Sequence, residues 1–250
     1  MSRLHQQIMR IEIADIVSQR VRSGDWLPPE AALAAQFGVS RGVARECIRG
    51  LEERGLVAVK HGRGATVLPE QRWDVLDPDV LRALLDHGRG SVILGEFLES
   101  RRILEISAAG LAAERARPAH LAQLSGAFDR MTAAARRALE NPAAEDLYHE
   151  ADIGFHRALI DATGNRALGA LIEPIHRALV AARRPLARPD RRLEHSLPEH
   201  QRILTAVAQG DVDAAREAMR AHLLTVEAYL REYARAAGEP LTRADRPRAR

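Results

Sequence analysis

The stretch LAAQFGVSRGVARECIRGLEERGLVAVKHGRGATVL, residues 33–68, decides the fold. Gly38 breaks a short helix, and Ser40 offers a side-chain oxygen to cap the next one. That second helix runs to about Arg54, where Gly55 ends it. Within it Val43, Cys47 and Leu51 recur every fourth residue and form a core face, while Arg41, Arg45 and Arg49 recur on another. Leu56–Lys60 and Ala65–Leu68 are apolar runs flanking the turn His61-Gly62-Arg63-Gly64, a pattern that predicts a β-hairpin. A helix, a glycine turn and a second helix with a basic stripe form a helix-turn-helix. Its second helix would enter the major groove by Ser40, Arg41 and Arg45, with Arg49 further along the stripe. Arginine there reads guanine edges or binds phosphate. The hairpin tip, with Lys60, His61, Gly62 and Arg63, suits a wing on the DNA backbone or in the minor groove. An arginine stripe on a lone helix is ordinarily a solvated face, but here turn, cap and hairpin follow in the right order. Cys47 reads as a small core residue, with redox sensing as the lesser alternative.

Working outward, Ile8, Ile11, Ile16 and Val17 predict a first helix over about 4–22, stopped by Ser23-Gly24. Leu27-Pro28-Pro29 is extended, and Pro29 opens a helix from Glu30 to Phe37. Downstream the strand signals stop. Helices are predicted over 77–87, 91–116, 118–140, 145–162, 166–184, 190–209 and 211–236. The fold class is mainly α, with four parts: a winged helix-turn-helix at 1–68, a linker at 69–77, an all-helical bundle at 78–236 and a disordered basic tail at 237–250.

Composition agrees. One cysteine in 250 residues excludes a disulfide framework. No apolar run approaches the ~18 residues of a membrane helix, and the N-terminus lacks a signal-peptide core, so a soluble cytoplasmic protein without membrane contact is expected. Residues 1–68 hold ten of the 37 Lys/Arg and seven of the 34 Asp/Glu, which places the whole net charge of +3 in the first quarter. A basic module on a neutral body points to a nucleic-acid reader with a regulatory domain.

In that body, polar residues fall on apolar helix faces. Asp152 shares a face with Tyr148, Phe155 and Leu159, and His156 follows one turn later. His200 lies with Ile203, Leu204 and Val207, and His222 with Met219, Leu223 and Val226. Buried charge needs a partner. One carboxylate and three imidazoles suit Zn²⁺, Ni²⁺ or a similar divalent metal ion, with positions left for ligand oxygens. Any one of these histidines alone reads more simply as a hydrogen-bonded core residue. His5, His87, His120, His149, His176 and His195 share no such pattern and read as surface or packing residues. Arg101 also points inward, beside Phe97, Leu104, Ala108 and Leu111. It either pairs with Glu105 or another internal carboxylate, or clamps a ligand carboxylate.

The segments LPPE (27–30), LAAQFGVSR (33–41), VARE (43–46), LEERGLV (51–57) and HGRGATV (61–67) resemble the winged-helix signature of the GntR family. The resemblance implies double-stranded operator DNA as partner, with contacts at Ser40, Arg41, Arg45, His61 and Gly62. Two departures stand out. Only Asp25-Trp26 separates Ser23-Gly24 from Leu27, so the small strand usual there is shortened or lost. Ala31 stands where an arginine often follows the glutamate.

Further on, ESRRILE (99–105), LAAERA (111–116), DIGFH (152–156), TGN (163–165), EHQRIL (199–204) and MRAHL (219–223) resemble the FCD sensor domain of the FadR subfamily. That resemblance implies a divalent metal on Asp152, His156, His200 and His222, an effector-side Arg101, Asn165 near the cavity, and a small carboxylate effector. WDVLDPDVL (73–81) is similar to the junction in the family's sugar-acid regulators, which implies a sugar acid such as an aldonate; Trp73 reads equally as a hydrophobic anchor between domains. The expected protein is a homodimeric repressor that leaves its operator when the effector binds. The rivals are a metal-dependent enzyme and a metal-ion sensor using the same four side chains.

Overall fold

The computed structural model describes residues 3–60, 63–141, 144–181 and 195–238. His61 and Gly62 of the expected wing tip, and residues 239–250 of the expected tail, lie outside the described residues. The chain forms two compact units, one through Gly90 and one from Ser91 onward.

The first unit begins with α1 (Arg3–Val17), α2 (Glu30–Phe37) and α3 (Arg41–Glu53). α1 stops short of the expected residue 22. Ile8, Ile13, Ile16 and Val17 are buried, but past Val17 the apolar face runs out and Gln19 turns to φ 64°. A helix is carried by the face it buries, so it ends where that face ends. Pro29 stands at the N-cap of α2 (φ −55°, ψ 151°), and its carbonyl accepts the Leu33 amide at 2.9 Å. Gly38 closes α2 at φ 64°, a left-handed conformation that glycine adopts without a Cβ penalty. Ser40 Oγ then accepts the Val43 amide at 3.4 Å and caps α3.

Two strands follow, β1 (Val57–Lys60) and β2 (Gly64–Val67), antiparallel with Val57 opposite Val67. The shortened segment before Leu27 still reaches this hairpin. Trp26 bridges Thr66, and Leu27 N bonds Ala65 O at 2.9 Å. The strand is thus reduced to a single bridge, not lost.

A 3₁₀ turn (Glu70–Arg72) leads to α4 (Pro78–Asp86), capped by Asp77 Oδ1 on the Asp79 amide at 2.9 Å. The expected second domain began at residue 78, but α4 packs on α1 in the first unit. Val80, Leu81 and Leu84 are buried. Arg10 pairs with Asp79 at 3.1 Å and Arg54 with Asp77 at 3.0 Å. Arg89 donates to Val17 O at 2.7 Å, pairs with Glu70, and lies 5.6 Å from the Trp73 ring centroid. Trp73 itself donates from Nε1 to Leu68 O at 3.1 Å, which makes it an anchor inside this unit.

The second unit is all helical among its described residues: α5 (Gly90–Arg115), α6 (Pro118–Glu140), α7 (Glu145–Ala162), α8 (Arg166–Ala181), α9 (Leu197–Gln209) and α10 (Val212–Ala237). The parts of the helices expected over 166–184 and 190–209 that fall on residues 182–194 lie outside the described residues. α9 starts with Pro198 in its first turn, where the missing N–H leaves no bond unmade. The core is built from the facing stripes of five helices: Ala109 and Ala112, Leu124 and Ala127, Phe155 and Leu159, Ile203 and Val207, Met219 and Leu223. The alanines let the helices approach closely around the large Phe155 ring. Asp152, His156, His200 and His222 come from three of these same helices.

Candidate functional site

In the first unit, the buried side of α3 carries Ala44, Cys47, Ile48 and Leu51, which leaves Arg41, Arg45 and Arg49 exposed with Ser40 at the helix start. Arg63 is exposed at the edge of β2. Arg45 holds Glu30 of α2 from Nε at 3.1 Å, and Arg49 pairs with Glu53 at 3.2 Å. Both pairs are solvent-exposed, so they are weak and exchangeable for phosphate. Arg41 and Arg63 form no ion pair among the described residues. Burial, then the nearby Glu12, pushes the Cys47 thiol up to about 12. A thiol held protonated is a core residue rather than a reactive one.

In the second unit, α7, α9 and α10 bring four side chains together. One donor atom from each of Asp152, His156, His200 and His222 lies within 4.8 Å of every other. The three rings are buried, and Asp152 is 19% exposed. Each ring's Nδ1 faces an oxygen: His156 the Glu105 Oε2 at 2.6 Å, His200 the Ser196 carbonyl at 2.8 Å, and His222 the Glu199 Oε2 at 3.1 Å. An oxygen acceptor keeps the proton on Nδ1, so in the neutral ring Nε2 carries the lone pair. His200 Nε2 lies 3.4 Å from His156 Nε2 and 3.2 Å from Asp152 Oδ1. Lone pairs so placed repel one another unless a cation sits among them.

Burial works against a proton filling that role on His156 or His222. Burial lowers His156 to about 3, with Arg101 adding to the effect and Glu105 opposing it. Burial, then His200, holds His222 well below the usual imidazole range. For Asp152 burial acts to raise the carboxyl pKa, but His200, His156 and His222 outweigh it and keep the group ionised. Two imidazoles that burial keeps neutral, a third ring and one carboxylate converge in the kind of donor set a divalent metal requires.

Arg101 is buried and donates from Nε to Glu105 Oε1 at 2.6 Å and from Nη2 to Oε2 at 3.3 Å. The internal pair weighed from the sequence therefore exists. It occupies one edge of the guanidinium, and Nη1 makes no hydrogen bond among the described residues. Glu105 also accepts from His176 Nε2 at 3.0 Å. Burial acts to raise Glu105, but Arg101, His156 and His176 hold it well below the usual carboxylate range. The sequence offered Glu105 only as a partner for Arg101 and His176 only as a surface or packing residue, although both are fully buried and meet each other. Their signal was available, since Glu105 follows Arg101 by one turn and His176 lies one residue from buried Ile175. Asn165 is not brought to the cluster. Its Oδ1 accepts the Ala167 and Leu168 amides at 3.1 and 3.2 Å and caps α8, and it lines an open cleft with Arg157, Asp161 and Glu173.

Residues 4–67 match the family of bacterial regulatory proteins, gntR family, and residues 96–225 match the FCD domain. The chain belongs to the GntR family and carries an FCD domain. This GntR regulator is 32% identical to the galactonate operon transcriptional repressor of Escherichia coli K12, over 81% of this chain and 86% of that one. It is 34% identical to the transcriptional regulator LutR of Bacillus subtilis, over 87% and 97% of the two chains. It is 31% identical to the repressor NanR of Citrobacter rodentium, over 90% and 81%. The solved structure of Lar, described as controlling expression of the Listeria monocytogenes agr system, shares the fold, with a TM-score of 0.65 at 18% identity over 93% and 98% of the chains. The relatives are transcription regulators rather than enzymes, and the regulator's helix-turn-helix is a DNA-binding domain. No described helix is long and apolar enough to cross a membrane.

Proposed function

We propose that this regulator is a homodimeric repressor that leaves its operator when a small carboxylate, a sugar acid, binds at a divalent metal site in the FCD domain. The observation that carries this reading is the convergence of three buried imidazoles and Asp152 within 4.8 Å. Asp152, His156, His200 and His222 would hold the ion, zinc, nickel or a similar first-row metal. When bound, the ion supplies positive charge and open positions for effector oxygens. The Arg101 edge not used by Glu105 would take the effector carboxylate as a two-pronged donor. Ser40, Arg41, Arg45, Arg49 and Arg63 would contact DNA from α3 and the wing, with His61 and Gly62 at its tip. Asn165 contributes by ending the α7–α8 turn rather than by touching the effector. The galactonate repressor supports the effector class, because galactonate is a polyhydroxy carboxylate with oxygens for both a metal and an arginine.

The effector would act by favouring the conformation that binds DNA less well. The test is a panel of aldonates and small hydroxy acids, read by thermal shift and by operator release in fluorescence anisotropy. One aldonate is expected to raise Tm and free the operator. Arg101→Lys is expected to lose that response, since it keeps a charge against Glu105 but lacks the fork. Arg101→Ala is a poorer choice, because stranding a buried carboxylate costs about 3–5 kcal/mol. His200→Ala is expected to carry less than stoichiometric metal. Silence across the panel with metal present would reject the sugar acid, and full metal in His200→Ala would reject the ligand set. Operator release by metal alone would make the ion the signal.

A further inference from the structure

Glu105 touches three buried polar side chains from three helices. It lies on α5 one turn after Arg101 and is fully buried. Oε1 accepts from Arg101 Nε at 2.6 Å and from His176 Nε2 at 3.0 Å. Oε2 lies 2.6 Å from His156 Nδ1, an ion-pair approach that is off the line of a well-formed hydrogen bond. One carboxylate thus joins the arginine on α5, a candidate metal ligand on α7 and a histidine on α8.

The other two rings are oriented differently. His200 meets a backbone carbonyl, and His222 meets Glu199, which is braced by Thr225 Oγ1 at 2.7 Å. Among the described residues neither partner also holds a guanidinium. His176 supplies an independent clue. Its ring is 0% exposed, and among the described residues its Nδ1 has no hydrogen-bond partner. Burying a polar nitrogen unpaired is costly, and a packing residue would not need to. The compensation is the single bond from Nε2 to Glu105.

We propose that Glu105 is a positioning residue that fixes His156 as the Nδ1–H tautomer and Arg101 with one guanidinium edge free, so that one carboxylate orients both halves of the effector site. His176 holds Glu105 in place from α8. This inference rests on the metal-site reading above. It predicts that losing the Glu105 charge weakens metal binding through a residue that is not a ligand.

The experiment has two arms, both on the full-length protein. In the first, zinc affinity is measured by chelator competition for wild type and Glu105→Gln. The dissociation constant is expected to rise about 10–100-fold, with operator affinity of the metal-free protein unchanged. A change of less than about twofold, in a wild type that binds zinc, overturns the inference and spares the metal site. In the second arm, long-range ¹H–¹⁵N correlations of the metal-free wild type read the His156 tautomer directly, so the arm stands even if Glu105→Gln fails to fold. The Nδ1–H pattern is expected, and an Nε2–H pattern overturns the inference. A wild type that binds no zinc removes the metal reading, while the tautomer arm still judges Glu105.

Discussion

His156 and His222 are imidazoles that burial keeps neutral, and this has a definite sign in solution. In the unfolded chain each takes a proton near pH 6.5, whereas in the folded, metal-free protein His156 does so only near 3 and His222 well below its ordinary value. Between those limits the unfolded state binds more protons, so stability is present above about pH 6.5 and is lost as pH falls toward 3. The depressed carboxyls of Asp152 and Glu105 act in the same direction at the acid end. Denaturant melts of the metal-free protein should lose on the order of a kcal/mol per pH unit for each such imidazole. A flat profile from pH 7 to 4 would mean that these rings titrate alike in the folded and unfolded states. At this scale the sequence was legible where residue type and helical period coincide: Asp152, His156, His200 and His222 each sit on an apolar face. Glu105 was less legible, because a glutamate four residues after an arginine is also an ordinary surface pair. Only the approach of α7 and α8 makes it an internal hub, and that approach is set by tertiary packing.

Elements were read well where the chain punctuates itself. Gly38, Ser40 and Gly55 bracket α3 as their backbone chemistry requires, and the two apolar runs after it pair as the hairpin. The end of α1 and the allegiance of α4 were misread for a physical reason. A helix end without a glycine depends on when the buried face runs out. A helix flanked by polar residues joins whichever body offers partners, here through Arg10, Arg54 and Arg89. Gly55 provides the element-scale test. At φ 68° an added Cβ would stand 2.1 Å from the Arg72 carbonyl oxygen. Gly55→Ala should therefore destabilise the first unit by about 2 kcal/mol or more, through both left-handed strain and the clash. Chemical denaturation would reveal it, and a loss below about 0.5 kcal/mol would show that the 3₁₀ turn yields freely.

For the whole molecule, the reading head and the sensor are separate compact units, so their failures should be separable too. Arg45→Ala removes an exposed side chain that among the described residues pairs only with Glu30, and the fold should be indifferent to it. Operator affinity should fall by about 1–3 kcal/mol if Arg45 meets a base, or fall with a salt slope shallower by about one if it meets a phosphate. An unchanged titration would remove Arg45 from the interface. Metal content of that variant should stay at the wild-type level.

The shielded Cys47 has a practical corollary. It is the only cysteine in the chain, it is buried, and its thiol stays protonated far above physiological pH. The native protein is therefore nearly inert to maleimides and methanethiosulfonates. A cysteine engineered at an exposed site on α3 would be the sole attachment point for a spin label or fluorophore. In a two-fold assembly the pair of labels would then act as a ruler between reading heads, reporting their separation with and without effector, free of background from any second thiol.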